Sequence, residues 1–302
     1  MAESVLTLIA APAAGATLPA AARDVAAALA RLGARVGAAD LLAPGIACDL
    51  PFDGLDLEAA DAARGALGGA AIDVVAQRAA GRRKRLLVAD LESTIIDNEM
   101  LEEIAEFLGL RAHVAAITRR AMNGEIDFVA ALRERVALLK GMPARVLDEA
   151  GAHIRIAKGA KALVATMRAN GATCALVTGG FGVYSRRIRA ELGFDLDVAN
   201  EIEVQDGKLT GTVREPILAR AAKLETLIRL AGERMLPLSA TLAVGDGAND
   251  LAMIMAAGLG IAFHAKPAVA AQARVRIEHA DLTALLYAQG YRRDEIAGGD
   301  QL

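Results

Sequence analysis

The first 80 residues alternate short apolar runs with segments of helical periodicity. Val5–Ala10 is an apolar run typical of a strand, and Pro19–Leu32 has the apolar spacing of an amphipathic helix. Arg35–Leu42 has an extended pattern, and Asp56–Leu67 predicts a second helix. The order strand, helix, strand, strand, helix, strand predicts a small α+β domain over residues 1–80.

A basic run ends this unit, and a fully apolar strand follows it. Residues 82–85 are Arg-Arg-Lys-Arg, and Leu86–Ala89 is apolar throughout. The whole chain has 34 basic and 37 acidic residues, a formal net charge of −3, so a solvated linker explains the run better than a nucleic-acid patch. We therefore place a domain boundary here, and the second domain spans residues 81–302.

Helical periodicity dominates the next 60 residues. Gly or Pro separates four helical segments, which are Glu99–Gly109, Arg111–Met122, Asp127–Lys140 and Pro143–Ala150. No strand pattern interrupts them. This block predicts an all-helical insertion over residues 97–155.

Strands and helices alternate again after Gly159. Helices are predicted at 160–170, 183–192, 219–233 and 251–257, and strands at 173–177, 241–244, 260–263 and near Arg276. The pair Asp206-Gly207 predicts a hairpin turn. Such alternation is typical of an α/β fold with a doubly wound, Rossmann-like parallel sheet, whose active site lies beyond the carboxyl ends of the strands.

Composition narrows the functional classes. Apolar residues make up 54% of the 302 residues and aromatics only 3%, which favours closely packed helices on a sheet. The acidic balance argues against nucleic acid, and no apolar run approaches the roughly 20 residues of a membrane-spanning helix. Two cysteines, Cys48 and Cys174, cannot form a disulfide framework. We expect a soluble, cytoplasmic protein that binds neither nucleic acid nor membrane.

Polar residues follow three of the predicted strands where each strand ends. They are Asp90 and Glu92 after the first strand, Thr178, Gly179 and Gly180 after the second, and Asp246, Asn249 and Asp250 after the third. Any one of these groups alone is more often a turn or a helix cap. Together they place carboxylates and anion-binding amides at one edge of one sheet, which predicts a phosphate site with a hard cation.

With these motifs the sequence resembles the haloacid dehalogenase superfamily, and within it the phosphoserine phosphatase family. The resemblance extends over about Leu86–Leu286, and the residues 245–250, Gly-Asp-Gly-Ala-Asn-Asp, with Ala265-Lys-Pro267 are its most specific part. The helical insertion over residues 97–155 also resembles the cap of that family, in residues 122–125, 127–128 and 132–141. The resemblance implies a haloacid-dehalogenase-like fold with an inserted cap.

The resemblance also implies the reacting groups. Asp90 would be the nucleophile that forms an aspartyl-phosphate. Mg²⁺ would be bound by the carboxylates of Asp90 and Asp246 and the backbone carbonyl of Glu92, with Asp250 supporting them from behind. Lys223 would contact the phosphate and Asp90, although a helical Lys is more often solvated.

Further residues would hold the substrate. The Thr178 hydroxyl and the Gly179 amide would bind phosphoryl oxygens, and Asn249 would orient the phosphate or the loop after Asp90. In the cap, Glu99 would attract a substrate ammonium and Arg135 a carboxylate. Met122 and Phe128 would form apolar walls. Charged residues on a helical cap are otherwise mostly exposed to solvent.

Two positions depart from the family pattern. Glu92 stands where the family has the aspartate that protonates the leaving oxygen and then activates water. Its backbone carbonyl is unchanged, so metal binding is expected to persist, whereas a misplacement of about 1 Å can cost on the order of 10²-fold in proton transfer. Thr178 replaces the more usual serine and keeps the hydroxyl.

The resemblance therefore implies a Mg²⁺-dependent hydrolysis of O-phospho-L-serine to serine and phosphate, the last step of serine biosynthesis. Two alternatives stay open. One is a phosphatase or phosphotransferase for another small phosphomonoester, and the other is a non-catalytic sensor of phosphoserine or an amino acid. The element order of residues 1–80 resembles the ACT domain, a regulatory fold. Such a unit would sense serine, support a homodimer or, as the default expectation, merely cover a face of the sheet.

Overall fold

The computed structural model describes residues 2–57, 59–123 and 125–299. Its N-terminal unit is an antiparallel sheet carrying two helices. The elements are β1 Ser4–Ala10, α1 Leu18–Arg31, β2 Arg35–Val36, β3 Asp40–Ala43, β4 Ala47–Asp53, α2 Ala59–Ala66 and β5 Ile72–Arg78. The strands are ordered β2-β4-β1-β5, and β3 pairs with β4.

Strand β1 is buried along its whole length because both faces of the N-terminal sheet are covered. Leu6 and Leu8 pack with α1 residues such as Val25 in one hydrophobic core. Ile9 and Val75 belong instead to the main core of the second unit. The N-terminal unit is thus packed directly on the rest of the chain through the second face of its sheet.

The extended segment predicted over Arg35–Leu42 is wrong in one respect, since it forms two short strands, β2 and β3. Both pair with β4, on either side of Pro51. Pro51 has no N–H to donate, so the ladder is interrupted there, and Gly37 N–H bonds the Pro51 carbonyl at 2.8 Å instead.

The second unit contains the predicted parallel sheet, which is confirmed. Its six strands are β6 Leu86–Ala89, β7 Thr173–Phe181, β8 Leu196–Asn200, β11 Thr241–Gly245, β12 Leu259–Phe263 and β13 Val275–Ile277. They are ordered β13-β12-β11-β6-β7-β8, and every neighbouring pair is parallel. Strand β8 is not among the strands predicted from the sequence, because it is a half-buried edge strand whose apolar pattern is interrupted by Asp197 and Asn200.

Alternate residues of β6 enter two different cores, as expected for a doubly wound sheet. The helices that flank the sheet are α7 Ala160–Ala169, α8 Gly182–Leu192, α9 Arg220–Glu233, α10 Leu251–Ala256, α11 Pro267–Ala270 and α12 Ala284–Ala288. Leu86 and Val88 pack on the face covered by α9 and α10, whereas Leu87 and Ala89 pack on the face of α7, α8 and α12. Within the described residues, no helix is long and apolar enough to cross a membrane.

The segment between β6 and β7 is helical, as the pattern predicts. It contains α3 Met100–Glu106, α4 Arg111–Met122, α5 Phe128–Ala137 and α6 Val146–Gly151. Asp127 caps α5 by accepting a hydrogen bond from Ala130 N at 2.7 Å. The hairpin β9 Ile202–Gln205 and β10 Lys208–Val213 packs beside α5, and its turn residues Asp206 and Gly207 have φ of 50° and 72°.

Candidate active site

The three polar motifs meet at one edge of the parallel sheet. Strands β11, β6 and β7 are neighbours in that order, so their carboxyl ends lie side by side. Asp90 and Asp246 follow two of these strands, and Thr178 lies near the end of the third. The edge therefore gathers the side chains that the sequence places at separate strand ends.

Asp90 lies beneath the cleft with one oxygen held in place. Its Oδ1 accepts a hydrogen bond from Leu91 N at 2.8 Å and lies 2.7 Å from Lys223 Nζ. No hydrogen bond or ion pair from the described residues reaches the other oxygen, Oδ2, so Oδ2 is the oxygen free to react. Burial and the Asp250 carboxylate raise the pKa of Asp90, and the Lys223 ammonium opposes them.

Lys223 reaches Asp90 from the first turn of α9 and is almost fully buried. It also pairs with Asp250, whose Oδ1 lies 2.5 Å from Nζ, while Asp250 Oδ2 accepts from Gly247 N at 3.0 Å. Burial acts to lower the pKa of Lys223, but the Asp250 and Asp90 carboxylates together raise it. Lys223 therefore stays charged, contrary to the solvated fate of most helical lysines.

The carboxylates of Asp90, Asp246 and Asp250 form a cluster that suits a hard cation. One oxygen from each lies within 4.8 Å of the others, and all three residues are buried. Burial raises the pKa of Asp246 to about 7, against the opposing charge of Lys266. Such crowded carboxylates need a further positive charge to ionise together, and oxygen donors are what Mg²⁺ prefers. The residues present thus fit a divalent cation.

The segment Thr178-Gly179-Gly180 lies within β7, which ends at Phe181, so the prediction of a strand that ends at Val177 is wrong. The pairing with β8 is irregular between Val177 and Phe181 and then resumes. Asn200 supports the irregular stretch by donating to the Gly179 carbonyl at 2.8 Å, and Gly180 N donates to Thr178 Oγ1 at 2.9 Å. The bulged strand therefore places the Thr178 hydroxyl and Gly179 at the cleft.

Asn249 also lines this cleft, between the Asp246 turn and α10. Its side chain is buried, and its Oδ1 has no hydrogen-bond partner within the described residues. An unpaired buried oxygen is costly, so a donor or cation bound in the cleft would stabilise it. This orphaned atom agrees with a polar ligand beside the carboxylate cluster.

Glu92 points towards the cap and is half-buried. Its Oε1 accepts a hydrogen bond from Met100 N, the first residue of α3, at 2.8 Å. A Cβ at Gly180 would come within 2.6 Å of its Oε2, so this glycine makes room for the carboxylate. Burial raises the pKa of Glu92, while the Met100 N–H and the Arg135 guanidinium lower it. The longer side chain is accommodated by the start of the cap and by Gly180.

The cap presents one acidic and one basic side chain to the cleft. Glu99 Oε1 accepts from Ser93 Oγ at 2.7 Å, and burial together with the Glu92 charge raises its pKa to about 7. Arg135 is buried, with Nε donating to the Ala131 carbonyl and Nη1 to Thr118 Oγ1. Burial lowers the pKa of Arg135, and Glu92 and Glu99 counter it. Neither side chain has the solvent-facing position usual for charges on a cap.

Phe128 closes one side of the cleft. A Cβ at Gly179 would come within 2.5 Å of its ring, so the aromatic side chain lies directly over the glycine backbone. The cleft has a volume of about 20 Å³, close to the space that one water needs. The side chain of Met122, the other predicted wall, lies outside the described part of the structure.

Three contributors to the site were not identified from sequence as site residues. Leu101 and Leu132 line the cleft from α3 and α5, where their helical spacing marks them only as core residues. Lys266 enters the sequence analysis only as part of the motif Ala265-Lys-Pro267, yet its Nζ donates to Asp246 Oδ2 at 2.8 Å. Its place shortly after the end of β12, at the same sheet edge, is the signal that could have identified it.

Comparison with known proteins agrees with this arrangement. The family model described as haloacid dehalogenase-like hydrolase matches residues 87–255. A curated phosphoserine phosphatase of Streptomyces coelicolor is 42% identical over 246 residues, which cover 82% of this chain and 60% of that protein. One from Streptococcus thermophilus is 47% identical over 199 residues, covering 66% of this chain and 93% of that protein.

A solved structure extends the similarity to three dimensions. It is described as a phospho-aspartyl intermediate analogue of phosphoserine phosphatase, and it is 40% identical with a TM-score of 0.65. The match covers 68% of this chain and 98% of that one. The chain belongs to the haloacid dehalogenase-like hydrolases, and within them to the phosphoserine phosphatase family.

Proposed function

We propose that the protein hydrolyses O-phospho-L-serine to serine and phosphate through an aspartyl-phosphate on Asp90. The observation that carries this proposal is the layout of the cleft, with the Asp90 carboxylate on the sheet side and Glu99 and Arg135 on the cap side. Opposite charges in the cap match the ammonium and carboxylate of an amino acid. The names of the curated relatives and the described phospho-aspartyl analogue support the same reaction.

The first step transfers the phosphoryl group to the protein. Asp90 Oδ2 attacks phosphorus while Lys223 and Leu91 N hold Oδ1, so the nucleophile enters in a fixed orientation. The bond from phosphorus to the serine oxygen breaks, and Glu92 gives that oxygen a proton. The Thr178 hydroxyl and the Gly179 amide receive the phosphoryl oxygens.

The second step releases phosphate. Glu92, now ionised, takes a proton from a water that attacks the aspartyl-phosphate, and Asp90 leaves as a carboxylate. The raised pKa of Glu92 suits a group that must alternate between acid and base.

We propose Mg²⁺ as the cation, held by the carboxylates of Asp90 and Asp246 and the backbone carbonyl of Glu92, with Asp250 behind them. When bound, it would neutralise charge on the phosphoryl oxygens. The two free cysteines, Cys48 and Cys174, are buried and suit a reducing compartment such as the cytoplasm.

Phosphate release from a panel of small phosphomonoesters tests the substrate. O-phospho-L-serine, phosphoethanolamine, phospholactate and an aryl phosphate differ in the groups that Glu99 and Arg135 would bind. We expect phosphoserine to have the highest kcat/KM, with losses for the analogues lacking carboxylate or ammonium. Equal kcat/KM for all four would contradict the proposal.

Transfer to an alcohol is a second candidate, favoured by Glu92, because this residue controls the activation of water and is fixed to the cap at Met100. Incubation with phosphoserine and competing alcohols distinguishes the two reactions. If inorganic phosphate is the only phosphorus-containing product, transfer is excluded, since transfer would give a phosphate ester of the alcohol. Turnover above a trace rate excludes a non-catalytic sensor.

A further inference from the structure

A buried carboxylate of the N-terminal unit is bound to the second unit rather than to its own sheet. Asp73 lies within β5, and its Oδ1 accepts from Glu278 N at 2.7 Å. Its Oδ2 accepts from His279 N at 3.2 Å and Ala280 N at 2.9 Å. Residues 278–280, called here the anchor loop, follow β13 directly. One carboxylate therefore binds three consecutive backbone amides of another unit.

The strength of this contact is set by its charge and its burial. Hydrogen bonds from N–H groups to an ionised acceptor are stronger than those between neutral groups. Asp73 is only 3% exposed, so water does not compete effectively for these amides. The anchor loop is consequently fixed to the N-terminal unit.

The end of β13 and the anchor loop both contact the segment that follows β12. His264 N donates to the carbonyl of Ile277, the last residue of β13, at 2.8 Å, and His264 Nε2 lies 2.9 Å from the carbonyl of Ala280 in the anchor loop. His264 has a φ of 43°, a left-handed conformation that a non-glycine residue adopts only where its surroundings impose it. These contacts therefore define the path of the chain from His264 to Lys266.

Lys266 connects this segment of the chain to the carboxylate cluster through two hydrogen bonds to Asp246. Its backbone N donates to the Asp246 carbonyl at 3.0 Å, and its Nζ donates to Asp246 Oδ2 at 2.8 Å. Both ends of Lys266 are thus bound to the same residue. Hydrogen bonds of this kind fix the orientation of a carboxylate that binds a metal.

We propose that Asp73 is a positioning residue for Asp246, because its hold on the anchor loop fixes the turn from which Lys266 reaches that carboxylate. The inference rests on the proposed Mg²⁺ site. It makes the N-terminal unit a structural contributor to metal binding through a residue that does not itself line the cleft.

Calorimetric titration of the substrate-free protein with Mg²⁺ tests this directly. Asp73→Asn replaces one acceptor oxygen by an NH₂ group that cannot accept from the amides. Because Asp73 acts on Asp246 only through the anchor loop and Lys266, we expect about 5-fold weaker Mg²⁺ binding, which is less than the roughly 10- to 100-fold loss typical when a direct partner of a metal ligand is removed. The matched control is Asp49→Asn, another buried N-terminal carboxylate, which bonds Thr7 and Arg82 instead of the anchor loop. The Mg²⁺ affinity of Asp49→Asn should stay within about 2-fold of the native value, because Asp49 makes no bond to the anchor loop that leads to Asp246.

A double variant tests the route through Lys266. If Asp73 acts by holding Lys266 on Asp246, adding Asp73→Asn to Lys266→Met should cause no further change in Mg²⁺ affinity. Lys266→Arg should restore part of the affinity lost in Lys266→Met. If Asp73→Asn weakens Mg²⁺ binding by the same factor in the Lys266→Met variant as in the native protein, the two residues act independently and the proposal is overturned.

The remaining outcomes are also decisive. Native affinity in folded Asp73→Asn, or an equal loss in Asp49→Asn, overturns the role of Asp73 and leaves the Mg²⁺ site intact. Absence of Mg²⁺ binding by the native protein overturns both. If Asp73→Asn does not fold, Asp73→Ser replaces it, and failure of both to fold also overturns a specific positioning role.

Discussion

Glu92 is fixed to the cap at Met100, because its Oε1 accepts a hydrogen bond from the Met100 backbone N–H at 2.8 Å. Met100 is the first residue of α3. The side chain that is one methylene longer than the family aspartate therefore has a specific partner that its length allows it to reach. This contact indicates that the cap fits the longer side chain of Glu92, rather than leaving its carboxylate displaced from the position needed for proton transfer.

Substitution of Glu92 separates its acid–base role from its contact with the cap. Glu92→Gln can still accept from Met100 N but cannot exchange a proton, so we expect kcat to fall by about 10²-fold with Mg²⁺ affinity nearly unchanged. Glu92→Asp should be no faster than the native protein, because the shorter side chain no longer reaches the hydrogen bond from Met100 N. Native turnover in Glu92→Gln would show that another group is the acid and base.

Gly180→Ala is predicted to impair catalysis with little effect on stability. The new Cβ would lie 2.6 Å from Glu92 Oε2, so the carboxylate must turn away from the position in which it bonds Met100 N, while the backbone around it can stay in place. We expect kcat for phosphoserine to fall about 10-fold or more, since the displaced carboxylate is misaligned for proton transfer. Thermal unfolding and initial rates check this. A drop in the unfolding temperature with normal kcat would contradict it.

Arg135 is predicted to determine specificity. Arg135→Ala removes the guanidinium that would bind the substrate carboxylate, so KM for phosphoserine should rise about 10-fold or more, with kcat/KM for an aryl phosphate changed by less than about 3-fold. Arg133→Ala is the matched control on the same helix, since Arg133 is exposed and pairs with Glu215. Equal losses of Arg135→Ala on both substrates would mean a structural role.

The pH dependence of KM should report on Glu99, whose pKa is raised to about 7 by burial and by Glu92. The neutral form below this pKa cannot attract an ammonium, so KM for phosphoserine should fall as the pH rises from 6 to 8. Glu99→Gln is expected to have a high KM and to lose this change. The substrate phosphate titrates near pH 6 in both proteins and therefore cancels in the comparison. An unchanged profile in Glu99→Gln would exclude Glu99.

Local pattern was sufficient for the parallel sheet and for the edge where the site lies. Leu86–Ala89 is apolar on both faces and runs straight into Asp90, and alternation with helices then determines where the other strand ends meet. Strand β8 was missed because an edge strand with Asp197 lacks a continuous apolar run. The ACT-like character of residues 1–80 stays a prediction.

Long-range polar contacts could not be predicted from sequence. Lys223 was connected to Asp90 only through the family resemblance, since helical periodicity does not tell which way a lysine points. The pairing of Lys266 with Asp246 depends on how β12 lies beside β11. Asp73 bonds amides more than 200 residues away, and backbone N–H groups carry no sequence signal.

Trapping of the covalent intermediate tests the central claim most directly. The protein is mixed with phosphoserine carrying labelled phosphate in the presence of Mg²⁺, quenched in acid, digested and mapped. We predict label on the peptide that contains Asp90, with none on Asp90→Asn, which should also release no phosphate. Phosphate release by Asp90→Asn at the native rate, or label on another residue, would contradict the account.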